Sequence, residues 1–166
     1  MQERVLIEMI NYFGKDVRRI NHALKVYGFA SAICRNEGFT DEQILITEIS
    51  GILHDIGIPE SERKYGSCSG KYQEIEGPPV ARDILERIGI SVHVIERVLF
   101  IIGNHHTYTK IDGNDFQALV EADFLVNIDE DNMTSSAQAI GEKYFKTKTG
   151  KNILNSLYGI KGNSGA

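Results

Sequence analysis

The chain has 166 residues, 42% of them hydrophobic and 25% charged, which suits one compact domain with an ordinary core and calls for no second one. A net charge of −5 argues against a surface that coats nucleic acid. No apolar run approaches the roughly 20 residues of a membrane span, and the opening MQERVLIEMI carries charges and no signal-peptide pattern, so a soluble cytoplasmic protein without a membrane partner is the expectation.

Val5, Leu6, Met9, Ile10 and Phe13 have the i, i+3, i+4 spacing of a helix over 3–13, which Gly14 ends. Asp16 can cap a second helix that runs to Gly38. On it Val17, Ile20, Leu24, Tyr27 and Ser31 form one stripe, and His22, Val26, Phe29 and Ile33 form another. Two stripes predict a largely buried helix with His22 on an apolar face. Thr40 and Gln43 read as a capping box ahead of Leu45, Ile49, Ile52 and Ile56. The stretch 57–77 loses periodicity and fills with Gly, Ser and charge, which predicts a long mobile loop hinged at Gly66 and Gly70 that can close over a substrate. Pro78 and Pro79 then open a helix stopped at Gly89, and Ser91 caps the next, with Val94, Ile95, Val98, Leu99 and Ile102. Asp115 can cap a helix bearing Leu119, Val120, Asp123, Phe124 and Val126, and 134–146 and 152–159 carry further short helices. No strand alternation of useful length occurs, so the fold class is all-α, a compact helical bundle. Cys34, in a predicted buried helix, and Cys68, in a Gly/Ser stretch, supply neither a CxxC pair nor a framework of bridges.

His22, the dipeptide His54-Asp55 and Asp123 all stand in apolar helical surroundings. An unpaired imidazole or carboxylate there costs several kcal/mol unless something binds it, and a divalent ion is the simplest partner. Gly57 and Pro59 end the helix that carries His54 and Asp55, so its last turn can aim both side chains at one point. Imidazole with carboxylate suits Mn, Fe, Ni, Co, Zn or Mg, with coordination positions left for water and phosphate.

The ordered set His, His-Asp, Asp resembles the HD-domain superfamily of metal-dependent phosphohydrolases. RINHALKVYGFA (19–30) is similar to that family's first-histidine helix, ISGILHDIG (49–57) to its HD segment and LVEADFLVN (119–127) to its last-aspartate helix. The resemblance covers residues 15–130 as the domain core, leaving 131–160 as a helical extension and 161–166 as a flexible tail. It implies that His22, His54, Asp55 and Asp123 hold one ion, with Asp55 as the catalytic group that orients the attacking water. The adjacent His105 and His106 resemble the dinuclear branches, which implies a second metal or phosphate site.

Those branches place a further histidine where this chain reads YQEIEGPPVA, so a carboxylate is expected to replace it, Glu76 ahead of Glu74. Lys64 and Lys71 are candidates for neutralising a phosphate. Ile58 stands at the lysine position of the cyclic-dinucleotide phosphodiesterases and no GYP triplet follows the histidine pair. Ile58 and Pro59 likewise break the HDxxED pattern of alarmone hydrolases. The expectation is therefore a phosphohydrolase acting on a small phosphomonoester or nucleotide-like phosphate, with a metal-activated water as nucleophile and one ion or two. The alternatives are a non-catalytic nucleotide sensor pinned by metal and a di-iron oxygenase on the same scaffold.

Overall fold

A computed structural model describes residues 1–160, and the expected flexible tail at 161–166 lies outside the described residues. The helices are α1 (Gln2–Phe13), α2 (Val17–Asn36), α3 (Asp41–Leu53), α4 (Ile58–Tyr65), α5 (Gly70–Ile88), α6 (Val92–Ile102), α7 (Asn114–Glu130), α8 (Ala137–Tyr144) and α9 (Lys148–Tyr158). Short 3-10 turns at Tyr108–Lys110 and Thr134–Ser136 complete the order, and no strand occurs among the described residues. None of these helices is long and apolar enough to cross a membrane.

The centre of the bundle is α3, whose last turns from Ile46 to Leu53 are buried throughout. It packs against α2, α6 and α7, and α1 packs on it as well. Local signals start these helices where the sequence predicts. The Asp16 carboxylate accepts the Arg19 N–H at 3.2 Å, and Thr40 with Gln43 forms the reciprocal capping box of α3.

Three expectations are corrected. The stretch 57–77 is not a long loop: α4 and the first turns of α5 occupy it, and only Gly57 and 66–69 lie outside a helix. Its polar composition reflects two half-exposed helices, with Ile58 and Ser61 buried on one and Gln73, Glu76 and Gly77 on the other. Pro78 and Pro79 lie inside α5 rather than at its start. The residue ahead of Pro78 is Gly77, which has no Cβ to meet the proline ring, and Gly77 is held against the turn after Asp55. A Cβ on Gly57 would stand 2.5 Å from the Gly77 nitrogen and 2.7 Å from the Gln73 oxygen, so glycine at 57 lets α5 close on that turn. Asp115 is no cap either: Gly113 precedes α7, and the buried Asp115 carboxylate accepts from the Arg97 guanidinium at 2.7 and 2.8 Å.

A buried carboxylate also docks the carboxyl-terminal helices. Glu121 of α7 accepts from the Lys146 and Thr147 N–H groups at 2.6 and 2.9 Å, the Thr147 hydroxyl at 2.5 Å and the Gln117 amide at 2.8 Å. The same Thr147 hydroxyl caps α9 by accepting the Gly150 N–H at 2.9 Å.

Candidate metal centre

Side chains from three stretches far apart in sequence meet where α2, the end of α3 and the middle of α7 converge. His22 Nε2 and His54 Nε2 are 3.1 Å apart. Asp123 Oδ1 lies 3.3 Å from the first and 3.5 Å from the second, and Asp55 Oδ2 lies 3.5 Å from both. The structure thus brings together all four residues singled out in the sequence. Turn geometry explains how neighbours 54 and 55 share one focus: α3 ends at Leu53, and tight turns carry the chain through 54–57 before α4 begins.

The outer nitrogens of the imidazoles fix which inner nitrogens bear lone pairs. His54 Nδ1 donates to the Gly51 carbonyl at 3.0 Å and His105 Nδ1 to the Ile102 carbonyl at 2.7 Å, because a carbonyl can only accept. His22 Nδ1 donates to the Glu130 carboxylate at 2.8 Å. Each neutral ring therefore presents Nε2 inward as an acceptor, the form in which histidine ligates a metal. His105 Nε2 is buried with no hydrogen-bond partner among the described residues and stands 3.7 Å from Asp55 Oδ1. Once His22 gives up its second proton, its Nε2 and that of His54 face each other at 3.1 Å as two lone pairs, and with the unpartnered Nε2 of His105 they fit a cation.

Charge inside the cluster points the same way. Burial opposes charge on His22, yet the hydrogen bond and charge of Asp123, with Asp55 and Glu130, push it up from 6.5 to about 9. Burial would raise Asp55, but the His54 and His105 imidazoles hold it down at about 2. Asp123 is likewise held well below the usual carboxylate range by His22 and His54 against the effect of burial. Without an ion, protons supply the positive charge these carboxylates require.

Asp55, His105 and His106 make a second group able to hold a metal, beside the group His22, His54 and Asp123. Burial, then the neighbouring His105, push His106 down to about 4. Glu74 accepts the His106 backbone N–H at 3.0 Å and the Thr107 hydroxyl at 2.9 Å. Glu76 does not reach the cluster. It pairs with Lys64 and accepts the Tyr65 hydroxyl at 2.9 Å, because it faces back over α4. Lys64 is thereby taken up, and Lys71 is exposed on the first turn of α5; neither lines the cavity above the centre.

That cavity, about 370 Å³, is walled instead by Arg18, Arg19, Gln73, Asn127 and Asp131. Arg19 is held by Asp16 at 2.8 Å and Glu62 at 2.6 Å, while Arg18, exposed on the wall, has no ion-pair partner among the described residues. Asn127 donates to Asp123 Oδ1 at 2.9 Å. Ile58 is the one aliphatic side chain of the wall, and no Phe or Tyr lines it among the described residues. The sequence reading missed Asn127 and Glu130, although they follow Asp123 by one and two helical turns and so share its face. Arg18, one turn before His22, carried the same signal.

The described residues thus form an all-helical domain with a convergent His/Asp centre under a polar cavity. Residues 19–141 match the HD domain family, and the chain belongs to that family. The fold is similar to that of a predicted HD superfamily hydrolase from an uncultured Thermotogales bacterium, with a TM-score of 0.71 and 22% sequence identity. The match covers 95% of this chain and 84% of that one. No curated protein matches the chain.

Proposed function

We propose that this chain is a metal-dependent phosphohydrolase acting on the phosphomonoester of a small polar alcohol. The observation that carries the reading is the set of inward Nε2 lone pairs and paired carboxylates at the floor of a polar cavity. His22, His54, Asp55 and Asp123 would hold the ion, and Asp55 with His105 and His106 a second ion or a phosphate. Such an ion supplies a water of lowered pKa and positive charge for the phosphate oxygens. Glu130 and the Gly51 carbonyl keep His22 and His54 in their ligating forms. Asp55, an anion facing both groups, orients the attacking water as a hydrogen-bond acceptor. Arg18 neutralises a phosphate oxygen, a role its planar fork suits better than Lys64 or Lys71 in their places. Asn127 and Asp131 offer hydrogen bonds to hydroxyl groups, and among the described residues the wall holds no Phe or Tyr on which a nucleobase could stack.

Phosphate release from a panel of sugar phosphates, glycerol phosphates and nucleoside monophosphates tests the reading. Metal-dependent release from the sugar or glycerol esters is expected. Metal-replete protein that releases phosphate from no ester would overturn it in favour of the sensor, and a preference for nucleotides would overturn the substrate class alone.

A further inference from the structure

His106 is oriented differently from the other three rings of the centre. Its Nε2 lies 3.1 Å from the side-chain oxygen of Gln73. The amide of Gln73 cannot be turned round, because its nitrogen donates to the Cys68 carbonyl at 2.7 Å and an oxygen placed there would face another oxygen. The atom that faces His106 is therefore an acceptor, and Nε2 must carry the proton. Nδ1 is left with the lone pair. In His22, His54 and His105 the assignment is reversed, with Nδ1 donating to an outer acceptor and Nε2 turned inward.

The rest of α5 holds the ring in this pose. Gly70 packs on the ring so closely that a Cβ there would stand 2.7 Å from its Cγ and Cδ2 atoms. Glu74 takes the His106 backbone N–H at 3.0 Å. Ring face, ring nitrogen and backbone are thus each fixed by a residue within five positions of the start of the helix.

We infer that Gln73 is a positioning residue: braced by the Cys68 carbonyl, it locks His106 as the Nε2–H tautomer and offers Nδ1 to the group formed with Asp55 and His105. The inference concerns the centre of the proposed phosphohydrolase but requires no turnover, so its test can fail while that reading stands, and the reverse.

Long-range proton–nitrogen correlation spectra of uniformly labelled protein, recorded before and after titration with the diamagnetic ion Zn²⁺, read the tautomer directly. In the wild type, one histidine of the centre should show a protonated Nε2 and an unprotonated Nδ1, and this Nδ1 should be the nitrogen that zinc shifts. Gln73→Leu removes the acceptor and should replace that single tautomer by a mixture. The wild-type spectrum needs no substitution and keeps the inference testable if the leucine variant folds poorly. An Nδ1–H tautomer for His106 in the wild type, a zinc shift at Nε2, or a Gln73→Leu spectrum identical to wild type would each overturn it.

Discussion

At the scale of single residues, the centre is governed by which atom holds each proton. The Asp123, Asp55 and Glu130 carboxylates favour the protonated form of His22, which is pushed up from 6.5 to about 9 when no ion is bound. Its folded value lies above the unfolded one, so the stability it adds is complete below pH 6.5 and is lost as the pH climbs through about 9. The size is on the order of 3 kcal/mol. Urea midpoints of chelator-treated protein should fall across that window, and His22→Gln should flatten the profile; a wild-type midpoint constant over the window would contradict it. Asp55→Ala should abolish phosphate release while leaving the helical circular dichroism unchanged, since Asp55 lies in a turn outside the helices. Full turnover in metal-replete Asp55→Ala protein would remove Asp55 from the mechanism. His22, His54, Asp55 and Asp123 were legible in the sequence because a charged or imidazole side chain in an apolar stripe needs a partner. Glu130 and Arg18 were legible only through their helical spacing from Asp123 and His22, and Gln73 was not, since nothing in its neighbours shows what it faces until α5 closes on the turn after Asp55.

Among the elements, the long helices were legible from apolar spacing and caps, and α4 with the start of α5 was not. Helix α4 spans 58–65 and buries only Ile58 and Ser61, too few apolar positions to show a period. Prolines 78 and 79 read as a helix start, yet contact between Gly57 and Gly77 carries α5 through them. The carboxyl-terminal helices hang on Glu121, a carboxylate with no exposure that satisfies two backbone N–H groups and a hydroxyl of the segment before α9. Glu121→Ala would leave those donors buried without an acceptor, at a cost of about 2–4 kcal/mol. Denaturant unfolding should show that loss, and a variant within experimental error of wild type would mean that α8 and α9 are docked by their apolar contacts alone.

For the whole molecule, the ion would tie together α2, the end of α3 and α7, elements joined only by the folded core. Binding to the native state alone adds about 4 kcal/mol at a thousandfold excess over Kd, so chelation should lower the thermal midpoint and Mn²⁺ or Zn²⁺ should restore it. An unchanged midpoint after verified metal removal would leave the ion without a structural role. The most direct test of the central claim is the anomalous difference map of crystals grown with Mn²⁺. A peak is expected within about 2.0–2.3 Å of His22 Nε2, His54 Nε2 and the carboxylates of Asp55 and Asp123. A fully occupied ion elsewhere, or no peak between these four side chains at saturating Mn²⁺, would contradict it.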